Sequence, residues 1–229
     1  GGKMSENRTS NLGGNCAIAA AIAYIVVGIT FFNLPQIQRG SSGRNQVTEY
    51  FTSVASDSFL LQLQYWSFSF AALMGLAVII AANRKFRDLS EDFIDWASVV
   101  GLIGYGVMCT NFVRFVDIIP QRAQIFVEGG EQMQISMLGA NPLTLDPTGI
   151  LGFGFVGFWF LVLNYFAKER ETFPNVLAYI GMIGGVLHIF VAIGNIIDQQ
   201  ILISIAAGLG GIVLGPIWLI WFGMILKKG

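Results

Sequence analysis

Six stretches of this chain stay apolar for long enough to cross a bilayer: Cys16–Asn33, Phe59–Ala82, Phe93–Ile118, Gly149–Ala167, Asn175–Ile197 and Ile201–Leu226. A spanning helix needs about 20 mostly apolar residues, because the hydrocarbon core is about 30 Å thick and a helix rises about 1.5 Å per residue. Val99–Cys109 and Ile205–Ile225 are apolar all round rather than striped. Helices of a soluble core turn a polar face to water, so that class is excluded. The pattern predicts an all-α membrane protein: a tail over residues 1–15, then a single six-transmembrane-helix bundle over residues 16–229.

The connections are unequal. Asn83–Asp92 and Lys168–Pro174 are short, whereas Leu34–Ser58 and Ile119–Thr148 are long. In the first long connection Val47, Tyr50, Phe51 and Val54 recur at helical spacing, which predicts a short amphipathic helix lying along the interface or capping the bundle. The link around Asp198–Gln200 is a hairpin, so spans five and six should be antiparallel neighbours.

Charge then orients the bundle. A net charge of −1 hides an asymmetry: Lys3, Arg8, Arg84, Lys85, Arg87, Lys168, Arg170, Lys227 and Lys228 fall on one side, and Arg39, Arg44 and Arg122 on the other. Lys and Arg near span ends are retained in the cytoplasm, so both termini should be cytoplasmic, the two long loops outside, and the location the plasma membrane. Ala17, Ala19, Ala20 and Ala21 open the first apolar run rather than close it, so it reads as a retained helix and not a cleaved leader. Apolar residues make up 54% and charged ones 12%, about half the charged share of a soluble domain.

Depth along the spans is the main clue to a site. Thr30, Asn33, Gln62, Gln64, Ser67, Ser69, Asn111, Arg114, Asp117, His188 and Asn195 fall in the outer parts of their spans, whereas the inner half offers little beyond Ser98 and Asn164. A polar side chain in hydrocarbon is costly unless paired or hydrated. Their common depth predicts a pocket open to the outside above a dry, glycine-rich floor. The candidate ligand-binding residues are Arg114 and Asp117 for charge recognition, with His188, Asn111, Asn195 and Gln62 for hydrogen bonds. Each has a plainer explanation: Arg114 near a helix end reaches for headgroups, Asp117 pairs with it at i,i+3, and a lone membrane histidine is ordinarily neutral and hydrogen-bonded to a neighbour.

Other features read as packing. Gly181 with Gly185, Ala207 with Gly211 and Gly215, and Ser67 with Ala71 and Gly75 form small-residue faces that serve close helix contact within the chain, or else docking of partner subunits or a second copy. Trp159, Trp218, Trp221 and Tyr165 read as an aromatic belt, and Pro216 as a kink in span six. Cys16 and Cys109 lie at different depths and should not bridge.

Several chemistries are excluded or unsupported. One histidine without an acid in its span is poor support for a metal site. No nucleophile elbow is present, and no basic patch supports nucleic-acid binding. No cofactor is indicated, although a lipid, or a pigment or haem ligated by one histidine, stays open.

The second half carries a resemblance. Gly157-Phe-Trp-Phe-Leu-Val-Leu-Asn-Tyr, Lys168–Arg170, Phe173-Pro-Asn-Val-Leu and Gly181, then Gly211-Ile-Val-Leu-Gly-Pro-Ile-Trp-Leu-Ile-Trp-Phe-Gly, resemble a family of six-span bacterial membrane proteins of uncharacterised role, domain of unknown function 4386. The first half is similar to it in layout. The resemblance implies six spans in one domain and brings no reaction and no site residues. The residues favour a non-enzymatic protein binding a small or amphipathic ligand as sensor, carrier or accessory. The alternatives are an enzyme acting on a lipid or quinone, with His188 as acid or base, and a structural subunit of a larger membrane complex.

Overall fold

The computed structural model describes residues 2–39, 46–139 and 144–228, with the side chains of 2–8 and 138–139 left out. The described residues form helices joined by turns, and no strand occurs among them. Six helical segments are long and apolar enough to cross a membrane: Thr9–Asn33, Phe59–Leu89, Glu91–Glu128, Ile150–Ala167, Asn175–Ile196 and Gln200–Lys227. They are carried by α1 (Gly2–Asn33), α3 (Phe59–Phe86), α4 (Glu91–Glu128), α6 (Phe155–Ala167), α7 (Asn175–Ile196), and the pair α8 (Gln200–Ala207) and α9 (Gly215–Lys227). Two short helices lie between spans, α2 (Val47–Ser56) and α5 (Glu131–Gly139). Arg44 and residues 140–143 of the second long connection lie outside the described residues.

The six spans form a ring in which α1 adjoins α3, α3 adjoins α4, α4 adjoins α6, α6 adjoins α7, and α7 adjoins α8, with α9 returning to α1. Gly13 and Gly14 of α1 lie against Leu226 and Lys227, so the start of the first span meets the end of the last. We call this the terminal end and the opposite one the loop end. The predicted antiparallel hairpin of spans five and six is present, turning at Asp198, whose φ of 54° is left-handed. Aspartate is among the few residues other than glycine that adopt this conformation readily.

The tail is helical: α1 begins at Gly2 and runs without a break into the first span. A larger difference concerns span three, which continues past Ile118 and through Pro120 to Glu128. At about 1.5 Å per residue its 38 residues reach about 57 Å, well beyond the hydrocarbon core. Proline has no N–H, so the carbonyl four residues earlier, on Val116, loses its helical donor. Gln62 Nε2 donates to that carbonyl at 3.1 Å, which lets the helix run on. The extension carries α2: Val54 packs with Leu34, Leu61 and Ala123, and the Phe51 and Phe126 rings lie 5.0 Å apart. The predicted amphipathic stripe is therefore a cap over this end of the bundle. Burial pushes the Tyr50 phenol up from its ordinary value, partly offset by a hydrogen bond with Tyr65.

The core is densest toward the terminal end. Trp159 and Trp218 are each 1% exposed, so they are centre-of-bundle residues and not an interfacial belt. Tyr165 alone of the four expected belt residues is exposed, at 59%. Trp218 stacks on Phe222 at 4.3 Å and meets Phe160 edge-on at 4.7 Å. Asn164, wholly buried, donates from Nδ2 to the Phe160 carbonyl at 2.8 Å and accepts from Trp218 Nε1 at 2.9 Å. Its amide fills the space above Gly181, where any Cβ would collide. Gly157 and Gly185 bring the α6 and α7 backbones together, each facing the other's carbonyl. The small residues of span five are thus consumed within the chain.

The same end is tied by polar contacts. Arg87 pairs with Glu91 at 2.5 Å and Asp95 at 2.8 Å, and Arg170 with Asp88 at 2.5 Å. Asn83 donates to Asp95 and Ser98, and Arg84 donates to Thr9. Both cysteines are free.

Candidate functional site: a cavity at the loop end

α1 lies along α9 but parts from α8, and the ring is loosest there. Two departures from α-helical winding accompany the gap. Ile150–Gly154, following the left-handed Gly149 (φ 73°), and Gly208–Leu214 are π-helical turns. In the first, Gly154 N–H reaches back five residues to the Gly149 carbonyl at 3.0 Å. The second precedes Pro216, which accounts for the irregularity expected there. Such wide turns are uncommon and recur at functional sites. Here both border one cavity of about 210 Å³: Phe153 comes from the first turn, and Gly208, Gly211 and Ile212 from the second.

All six spans contribute to this cavity. Most of its wall is apolar, with Val27, Phe68, Met108, Ile203 and Ala206 among the lining residues. The polar contributors are Tyr24, Arg39, Gln64, His188, Gln200 and Ser204. Tyr24 is already paired with Tyr105. Gln64 and His188 are not fully occupied, and these two define what the cavity can do.

His188 Nδ1 lies 2.8 Å from the Gly184 carbonyl, one turn earlier on α7. A carbonyl can only accept, so Nδ1 carries the proton and Nε2 of the neutral ring is left as an acceptor. No donor meets Nε2 among the described residues. Phe160 stacks on the ring at 5.8 Å and Phe153 lies at 6.2 Å, which fixes its plane. Gln64 is 8% exposed, and its amide has no hydrogen-bond partner among the described residues. Its amide opens onto the cavity rather than being sealed away from it, so it is available to whatever fills that space. Together they offer one acceptor and one amide that both donates and accepts, set in an apolar chamber.

Of the residues nominated from sequence, His188 lines this cavity and the other five do not. Gln62 is spent on the Val116 carbonyl. Asn111 is buried and accepts from Leu145 N–H at 2.9 Å, fastening the connection that leads into span four. Asp146 completes that fastening by accepting from Gly152 N–H at 2.7 Å. Arg114 is half-buried without a hydrogen bond or ion pair among the described residues. Asp117 is exposed, and the expected i,i+3 pair between the two is not formed. Asn195 is exposed and lies against Gly149.

Gln64 was legible by depth but not by face. It lies two residues from Gln62, about 200° round the helix, so one faces α4 and the other the cavity. Arg39, Gln200 and Ser204 gave no signal, since their approach to His188 depends on the fold. Among the described residues no group of three His, Cys, Asp or Glu side chains is placed to hold a metal ion.

Six apolar helices around a mixed-polarity chamber define a multi-pass α-helical membrane protein. Residues 15–223 match the family described as domain of unknown function (DUF4386), and the chain belongs to it. No curated protein and no solved structure matches the chain.

Proposed function

We propose that this membrane protein binds a small, largely apolar molecule carrying a hydrogen-bonding group, as a sensor, carrier or accessory protein. The single observation that supports this reading most is the pair of unmet polar groups, the Gln64 amide and His188 Nε2, on the wall of an apolar chamber. Chambers with a few converging polar groups in an apolar wall are the usual form of small-ligand sites. A ligand hydroxyl donating to His188 Nε2 and accepting from Gln64 restores bonds that the chain lacks. The gap between α1 and α8 gives such a molecule a lateral way in from the lipid.

The cations at the terminal end favour placing that end in the cytoplasm and the chamber in the outer leaflet of the plasma membrane. Cysteine labelling at Arg84–Arg87 from inside and outside vesicles tests this. An enzyme acting on a lipid or quinone would need a second reactive group beside His188. Arg114 and Asp117 do not line the chamber, so binding is the stronger reading.

The test uses tritiated decanol and protein in nanodiscs, with empty discs as background. Saturable binding is expected. Gln64→Leu and His188→Phe should each weaken it about tenfold, the worth of one hydrogen bond made in an apolar site, with helicity and elution volume unchanged. Binding that is absent, or equal in wild type and both variants, contradicts the reading.

A further inference from the structure

A second cavity of about 340 Å³ lies beneath the α2 cap, lined by Gln38, Gln46, Tyr50, Tyr65 and their neighbours. It shares three residues with the deep chamber: Phe31, Arg39 and Gln64. The two therefore adjoin, the upper one the more polar of the two, with Arg39 and Gln64 at the boundary.

Arg39 is held by the end of α1. Nε donates to the Leu34 carbonyl at 2.8 Å and Nη2 to the Phe32 carbonyl at 2.8 Å, while the guanidinium lies 5.9 Å from the Phe31 ring centre. The two carbonyls belong to the end of the helix, where partial negative charge accumulates, which explains why a cation settles there. They occupy two of the five guanidinium N–H groups, and no partner for Nη1 occurs among the described residues. No carboxylate lines either cavity, and none pairs with Arg39 among the described residues. Among the described residues a positive charge thus stands at the mouth of an apolar chamber with no carboxylate paired to it.

We infer that the ligand is a single-chain amphiphile with an anionic head, a carboxylate or a phosphate monoester, whose head sits at Arg39 and whose chain occupies the deep chamber. This rests on the binding reading above and adds the charge requirement. A planar guanidinium with free N–H groups matches both oxyanions. Phe31 lies beside the head, and Gln64, on the same boundary, donates to it through its amide N–H.

Decanoate, decyl phosphate and decanol share a chain and differ in the head, so their binding to nanodisc-embedded protein isolates the charge. The wild type should prefer one or both anions over decanol about tenfold or more, as a charge-assisted bond implies, and the tighter anion identifies the head. Arg39→Gln should erase that preference. Arg39→Lys should retain part of it, which separates charge from a folding defect. If decanol binds saturably while the anions gain nothing, or if Arg39→Gln keeps the preference, the charge inference fails and the cavity reading stands. If none of the three binds saturably, both fail.

Discussion

Asn164 and Gln64 are both amides buried inside a membrane bundle, and their surroundings could hardly differ more. Asn164 lies wholly inside the terminal half, where its carbonyl accepts from Trp218 and its amide donates to Phe160. Gln64 lies at the loop end on the wall of two cavities with no partner among the described residues. The first ties α6 to α9 and fills the gap over Gly181. The second adds nothing to folding that a leucine would not. A buried polar group with every bond made is part of the architecture, while one that opens unpaired onto a cavity is available to something outside the chain. The two ends divide along this line: ion pairs and packed indoles at one, π-helical turns and a chamber at the other.

Substitutions sharpen this contrast, beginning where the effect should be largest. Gly157→Leu forces apart α6 and α7, since even a Cβ would sit 2.6 Å from the Gly185 carbonyl. A loss of about 3 kcal/mol or more follows from such overpacking, and little folded protein should survive detergent extraction, as read by gel filtration. Asn164→Ala leaves the Trp218 indole N–H buried and unpaired and opens a void. About 2–3 kcal/mol is expected, seen as a lower midpoint in thermal unfolding. Gln62→Ala orphans the Val116 carbonyl opposite Pro120 for about 1 kcal/mol; faster amide exchange in α4 near Pro120, with exchange in α6 unchanged, checks it. Removal of the half-exposed Arg170–Asp88 pair should change the midpoint least of all, because exposed pairs contribute little.

The bundle itself was readable because lipid imposes one rule everywhere: long apolar runs, each with its backbone bonds closed internally. Spans four and five were located almost to the residue for that reason. The helix of span three runs on past the apolar run through Pro120, and the donor that allows this, Gln62, is on another helix. Trp159 and Trp218 were misplaced because an indole serves equally at an interface or in a core, and only packing against Asn164 and Phe222 decides. Of the six residues nominated as a site, His188 reaches the chamber wall and the other five do not. Asn111 and Gln62 were visible as polar residues in a span, yet their partners are backbone groups of irregular segments that composition does not reveal. His188 was found because it is alone of its kind. Arg39 was passed over because it follows the first span in sequence, although the chain folds it back over the end of α1.

Thermal unfolding of Gln64→Leu in the absence of ligand bears most directly on the contrast between the two ends. With the amide unpartnered, exchanging it for an apolar side chain of similar size should leave the midpoint unchanged or raise it. A fall as large as that of Asn164→Ala would mean that Gln64 is an architectural residue, and the chamber would lose its claim to a ligand.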